Sequence, residues 1–280
     1  MKIKAYAKVN LFLDIIGKRD DGYHNIETIF QEIDLFDELD INLTDNNFKL
    51  TCNIKELEND DNILKKAYNE LSPYLKNKVG VIVNLHKNIP FGGGLGGGSS
   101  DCANFINTML TITDTIISED KLNSIGSKLG ADVPFFFKGG CAIGKGIGDN
   151  LEKINTNTIL NILLINPNIH ISTKEAYLNC KIGTGNNRLN ELKNGLVTGN
   201  IEKICSNLYN SFEETVFKKY PEIKELKTKI IKSGAIGSLM SGSGSTCFGI
   251  FENEEKAKIA EEIFLKNKNY FTKLVKTIIR

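Results

Sequence analysis

Pro90-Phe91-Gly92-Gly93-Gly94-Leu95-Gly96-Gly97-Gly98-Ser99-Ser100 sets six glycines into seven residues. Before it Val79, Val81, Val83 and Leu85 alternate as in a strand, and after it Asp101–Thr113 reads as a helix. Glycine loses more conformational freedom on folding than any other residue, so this run works against stability. What it supplies is bare backbone, whose N–H groups can converge on an anion together with the unpaired N–H groups and positive dipole end of the following helix. Phosphate is the natural ligand, with the hydroxyls of Ser99 and Ser100 in reach of it or of a phosphate-bound Mg²⁺. A flexible linker is the plain alternative, but linkers rarely join a clean strand to a helix. Gly92-x-Gly94-x-x-Gly97 also matches the dinucleotide fingerprint, as any polyglycine tract does, and no βαβ array opens the chain to support it. Gly139–Lys145 fits the spacing of a P-loop, but Gly146 stands where Ser or Thr should follow, so the segment reads as a hairpin with Lys145 solvated.

At the N-terminus Ile3, Ala5, Ala7, Val9, Leu11, Leu13 and Ile15 occupy every odd position, the signature of a strand with one face buried along its length. Lys8 and Asn10 project side by side from the other face and line a cleft if anything covers it. A turn at Arg19–Gly22 leads into strand-like sequence through Leu43. Further on the pattern predicts helices over Asp60–Lys76, Ser118–Leu129 (capped by Ser118, stopped by Gly130), Lys174–Asn179, Ile201–Lys218, Glu222–Lys232 and Glu254–Lys266. Strands are expected at Ile159–Asn166, on either side of a Ser-Gly loop within Ile236–Phe251, and at Phe271–Ile279; Ile171–Asn200 offers little to anchor. Strands and helices mix without strict βα repetition, which points to an α+β fold. Polar Asn155–Thr158 suggests a boundary between domains 1–156 and 157–280, with the last strand able to return to the first domain.

Composition narrows the function. The 280 residues carry 35 Lys+Arg against 34 Asp+Glu, which argues against a nucleic-acid-binding surface as the chain's business. The most apolar stretch, Ile159–Ile165, is far short of the ~20 residues a membrane-spanning helix needs. Asp14 interrupts the apolar N-terminal segment, so no signal peptide is expected. Six scattered cysteines without a C-x-x-C pair read as reduced thiols in a cytoplasmic protein, and His24, His86 and His170 are too dispersed for a local metal motif. No metal ligand from the protein is assigned.

Three segments together resemble the motifs of the GHMP small-molecule kinases (galacto-, homoserine, mevalonate and phosphomevalonate kinases): Ala7-Lys8-Val9-Asn10-Leu-Phe-Leu13, the Pro90–Ser100 loop, and Met240-Ser-Gly-Ser-Gly-Ser-Thr-Cys-Phe248. The resemblance runs along essentially the whole chain. It implies a two-domain fold, with an N-terminal domain like ribosomal protein S5 and a ferredoxin-like C-terminal domain. It implies ATP, with Mg²⁺ as the nucleotide complex, bound at Pro90, Phe91, Gly92, Gly93, Gly94, Leu95, Gly96, Gly97, Gly98, Ser99 and Ser100. Gly242, Ser243, Gly244 and Ser245 would support that loop.

Taken alone, Lys8 is a strand lysine like Lys2 or Lys4, and Asp132 a turn residue ahead of the apolar Val133–Phe137 run. The resemblance makes Lys8 the cation beside the acceptor hydroxyl and Asp132 the general base. Asp21-Gly-Tyr-His24 and Gly130-Ala-Asp-Val-Pro-Phe135 further imply an acceptor that is a cytidine diphosphate ester of methylerythritol, phosphorylated on its 2-hydroxyl in the non-mevalonate route to isoprenoids. Tyr23 and His24 would then stack on cytosine and read its edge, with Tyr177 as a second aromatic across the base and Asn10 hydrogen-bonding substrate. The plain alternative for Tyr23-His24 is an ordinary hairpin. Adenine is expected near Lys87–Pro90 and Asp60–Lys65. The partner is a small molecule, on a monomer or homodimer, with neither nucleic acid nor membrane. Competing readings are a mevalonate- or homoserine-type kinase, a catalytically silent nucleotide-binding regulator, and a dinucleotide-binding oxidoreductase.

Overall fold

A computed structural model describes residues 1–45, 47–77, 79–183, 185 and 187–280. The alternating N-terminal run becomes β1 (Lys2–Lys18), and a turn with Gly22 at φ +87° leads into its neighbour β2 (His24–Thr44). Two compact units emerge: Met1–Ala7, Leu35–Phe91 and Gly96–Lys138 form the first, and Lys8–Asp34, Gly92–Leu95 and Gly139–Arg280 the second. β1 and β2 each contribute residues to both units.

In the first unit β3 (Lys49–Cys52) and β4 (Gly80–His86) follow the end of β2, β4 pairing antiparallel with β2 and parallel with β3. Val81, Val83 and Leu85 are buried while Asn84 is exposed, the alternation read from sequence. Between them α1 (Ile63–Leu71) is shorter than the Asp60–Lys76 helix its spacing predicts. Asn62 starts it by accepting a hydrogen bond from Leu64 N (2.8 Å), and the chain tightens into a 3₁₀ turn around Pro73. α2 (Gly97–Ile112) begins four residues earlier than expected, because Gly96 at φ +71° turns the chain into the helix. α3 (Glu119–Leu129) starts on the predicted Ser118 cap, and α4 (Val133–Lys138) is formed by the apolar run after Asp132. α2 packs against both α1 and α4, burying Phe105, Ile106, Met109, Val133 and Phe135.

In the second unit the hairpin of β5 (Cys141–Lys145) and β6 (Asn150–Lys153) follows, with β5 pairing β2 from Thr28 to Gln31. Lys145 is exposed and Gly146 makes the turn at φ +69°, as the hairpin reading requires. β7 (Asn161–Asn166) then leads to α5 (Thr173–Asn179), α6 (Arg188–Thr198) and α7 (Ile201–Ser206). Beyond lie β8 (Tyr209–Asn210), α8 (Glu213–Lys219), α9 (Pro221–Lys232), β9 (Gly237–Met240), β10 (Cys247–Phe251), α10 (Glu254–Leu265) and β11 (Phe271–Lys276). An antiparallel sheet orders these strands β11-β7-β10-β9, and α9 and α10 bury Ile223, Leu226, Ile230, Ala257, Ala260 and Phe264 in its core. After β11, Thr277 bridges to Ile33, and the Arg280 guanidinium forks onto Glu32 at 2.7 and 2.8 Å.

One expectation fails here. Ile201–Lys218 is not a single helix: it breaks at Asn207, and Tyr209–Asn210 pair in parallel with Phe12 and Leu13 of β1. The Asn210 amide donates to Met240 O (2.6 Å) and Gly242 O (2.8 Å), so tertiary hydrogen bonds override a local helical period. α6, in the part of Ile171–Asn200 for which the sequence predicts no element, buries Leu189, Leu192 and Leu196.

Candidate active site

Both faces of β1 are buried from Ala7 to Ile15, so Lys8 and Asn10 do face a covered interior. Within the second unit the Lys8 ammonium donates to Asn10 Oδ1 (2.7 Å) and Gly94 O (3.2 Å), and lies 5.6 Å from the centre of the Phe30 ring. Lys8 N–H donates to Leu95 O (2.9 Å), tying the strand to the glycine loop through main chain as well. Asn10 donates from Nδ2 to Thr28 Oγ1 (2.8 Å), which in turn donates to Phe12 O (2.6 Å). Asn10 therefore spends one lone pair on Lys8 and one amide hydrogen on Thr28, half of its side-chain hydrogen-bonding capacity.

The third glycine cluster closes onto the same place. Ser241 Oγ donates to Gly94 O (2.9 Å) and accepts from Asn10 N–H (3.3 Å), while Thr246 N–H donates to Gly93 O (3.3 Å). A Cβ on Gly94, at φ +78°, would stand 2.1 Å from Ser241 O, so only glycine fits that crossing. Gly242 faces Gly94 and Asn10, and Gly244 packs on Met240 and Ile171. Ser243 shares a hydrogen bond with Thr173 (3.0 Å), and Ser245 donates to Ile169 O (2.6 Å). The imidazole of His170, which sequence reasoning left without a role, fills the space beside Gly92.

In the first unit Gly96 caps α2 without a side-chain acceptor, so the N–H groups of Gly97, Gly98 and Ser99 have no partner within the helix. Gly98 is exposed, with nothing within 4 Å of where its Cβ would stand. Ser100 is buried and donates its hydroxyl to Tyr6 O (2.6 Å), so the hydroxyl at the start of the helix that remains is that of Ser99. Ser99 Oγ lies 3.5 Å from the position a Gly130 Cβ would take, which brings the loop's serine beside the turn carrying Asp132. Asp132 is half-buried immediately ahead of α4. Phe91 is largely exposed and Pro90 half-buried. Near the expected adenine segment, Asn53 brackets the backbone of Lys87, donating to its carbonyl (3.1 Å) and accepting from its N–H (2.8 Å).

His24 and Tyr177, 153 positions apart in the chain, stack in the second unit with ring centres 5.2 Å apart and planes 28° from parallel. Tyr177 also meets Phe212 edge-on at 4.9 Å. A spacing of 5.2 Å is direct contact, so no base lies between these two rings as they stand. Burial, and secondarily the charge of Lys18, hold His24 below the ordinary histidine range, so its ring stays neutral at neutral pH with one donor and one acceptor. Tyr23, the residue before His24, is 60% exposed.

The chain matches the model of the GHMP kinases N terminal domain over residues 62–140 and that of the GHMP kinases C terminal over residues 192–269. A protein of Geobacter sp. (strain M21) named 4-diphosphocytidyl-2-C-methyl-D-erythritol kinase is 38% identical over 280 residues, covering 99% of both chains. The chain belongs to the GHMP kinase family. A Thermoanaerobacter pseudethanolicus protein of the same name is 41% identical over 94% of this kinase and 91% of its own length. A crystal structure of 4-(cytidine 5'-diphospho)-2C-methyl-D-erythritol kinase superposes with a TM-score of 0.85 at 28% identity, over 98% of this kinase and 99% of that chain. The homoserine kinase of Cytophaga hutchinsonii shares the fold, with a TM-score of 0.78 at 17% identity. The α+β kinase fold implied by the three motifs is thus that of this chain. Among the described residues no helix is long and apolar enough to cross a membrane, and no three His, Cys, Asp or Glu side chains are grouped to hold a metal.

Proposed function

We propose that this GHMP kinase transfers the γ-phosphoryl group of ATP to the 2-hydroxyl of 4-(cytidine 5'-diphospho)-2-C-methyl-D-erythritol, in the non-mevalonate route to isoprenoids, as a cytoplasmic enzyme. The observation that carries the reaction class is the open start of α2. The N–H groups of Gly97, Gly98 and Ser99 have no partner within the helix, nothing stands within 4 Å of where a Gly98 Cβ would be, and Ser99 lies beside the turn that carries Asp132. Phosphoryl transfer asks a protein chiefly to position and to neutralise charge, and that is what such a loop supplies.

Asp132 accepts the proton of the acceptor hydroxyl as it attacks, and the Lys8 ammonium, held by Asn10 and the Gly94 carbonyl, stabilises the negative charge on that oxygen. Ser99, the loop hydroxyl not engaged by Tyr6, is the residue that would hold a nucleotide-bound Mg²⁺, which would supply neutralisation of the phosphate charge. For the cytidine end, the neutral His24 ring offers a donor and an acceptor, Tyr177 braces it, and exposed Tyr23 supplies a face for the base to stack on. The names of relatives 38% and 41% identical across nearly the full chain favour this acceptor over mevalonate or homoserine, which have no base to stack.

Initial rates of ADP release with ATP and Mg²⁺ against a panel of acceptors test this reading. The cytidine diphosphate ester should turn over and mevalonate and homoserine should not. Turnover with mevalonate alone would reverse the specificity, and silence with every acceptor would favour a regulator. Tyr177→Ala should raise KM for the cytidine acceptor up to about tenfold, the loss of the ring that braces His24 toward the base, with KM for ATP within about twofold. An equal rise in both constants would remove Tyr177 from the acceptor side.

A further inference from the structure

Three charged side chains lie buried against the flanks of the glycine loop, and the mechanism above uses none of them. Lys87, just past β4, is only 3% exposed in its side chain, and its ammonium bonds Asp37 of β2 and Asp101 of α2 (2.7 Å to the latter), both equally buried. Asp37 also accepts from the N–H groups of Asn88 (2.6 Å) and Ile89 (2.8 Å), fixing the chain as it enters the loop. Asp101 fixes the helix that leaves it. A Cβ on Gly97, the first residue of α2, would stand 3.2 Å from the Lys87 ammonium, so the cation lies directly under the helix start. Lys87 thus bridges the two ends of the segment that presents the phosphate-facing amides, and all of these residues belong to the first unit.

The charges do not balance. Two carboxylates and one ammonium leave a surplus negative charge out of water, which is costly unless a proton removes it. Asp37 receives three donors across its two oxygens, whereas Asp101 receives one, and its Oδ1 has no partner among the described residues. The proton belongs on Asp101, where an unpartnered neutral oxygen costs less than an unpartnered charge. We propose that Lys87, Asp37 and Asp101 form a positioning triad that sets the nucleotide loop and stays electrically neutral by holding one proton on Asp101. Burial pushes the Asp101 carboxyl up to about 8, in keeping with that geometry. The other titratable groups at hand, Cys52 beside β3 and Cys102 of α2, are pushed upward by burial and add no charge, and Glu58 beyond Cys52 is already ionised.

The proposal rests on the reading of this loop as a nucleotide site, and the test separates the two. Native Asp101 should bind a proton that the unfolded chain releases, so wild-type stability should fall relative to Asp101→Asn as pH rises from about 4 to 8, and the gap should level off above that. Thermal unfolding of both proteins across pH 5–9 reads this without any ligand. MgADP titrations at pH 7–9.5 read the loop: wild-type affinity should weaken about fivefold as Asp101 loses its proton, the effect of one added charge near a partly screened anion, while Asp101→Asn stays flat. A stability gap that does not change with pH overturns the proton. A widening gap with the same MgADP profile in both proteins overturns the link to the loop. A widening gap with no MgADP binding by the wild type refutes the nucleotide site itself, and the positioning role falls with it.

Discussion

Asp132→Asn should lower kcat by about 10²- to 10⁴-fold, the usual contribution of a positioned general base, with KM for both substrates within a few-fold. Asparagine keeps the shape and one acceptor oxygen of aspartate but cannot take a proton. The side chain is only half-buried in the turn ahead of α4, and asparagine fills the same volume, so the change leaves no cavity behind. Thermal unfolding should stay within about 2 °C of wild type, since about 0.5 kcal/mol is the usual scale of a surface change. Single-turnover rates matter as much as steady state, because slow product release could mask a weaker effect on chemistry. An Asn variant with near-wild-type single-turnover rate would remove the base role, whatever its KM.

Gly94→Ala should be damaging in a different way, losing stability and activity together. Its φ of +78° is disfavoured for any residue with a Cβ by roughly 1–2 kcal/mol, and that Cβ would lie 2.1 Å from the Ser241 carbonyl oxygen, which cannot swing away as a side chain would. The loop must then part from Ser241, and the Gly94 carbonyl that orients the Lys8 ammonium moves with it. We expect a fall of about 5 °C or more in Tm and a loss of 10²-fold or more in kcat/KM, since small misplacements of a positioned group carry costs of that size. Gly98→Ala is the matched comparison. It has open space around it and sits in the first turn of a helix, so alanine should leave Tm equal or higher. Its methyl group would still stand where phosphates approach, so KM for ATP should rise at intact stability. A wild-type Tm and kcat in Gly94→Ala would contradict the loop packing described here.

Much of this arrangement was readable because its signals are local. The alternation from Ile3 to Ile15 defines β1 and its buried face, and the glycine run between a strand and a helix marks the loop that we propose receives phosphate. Contacts made across the chain have no such mark. Nothing in Ile201–Lys218 betrays that Asn210 leaves the helical period to hold Met240 and Gly242, because the decisive partners lie 30 and 32 residues away. Lys87, Asp37 and Asp101 look like ordinary surface charges in sequence, and only burial makes them a unit. Ser100 shows the converse error of inference: a serine in a phosphate-like motif turns its hydroxyl inward, to Tyr6. Tyr177 was legible only by resemblance, as its stacking partner His24 lies in another part of the chain.

The central claim is that the open start of α2 receives the nucleotide's phosphates. Backbone amide resonances of Gly97, Gly98 and Ser99, followed while MgADP is titrated into the full chain, address it directly. Those three should move far more than the amides of the α3 body and saturate together at the binding constant measured by calorimetry. Saturable MgADP binding that leaves them in place while distant amides shift would put the phosphates elsewhere and contradict the account.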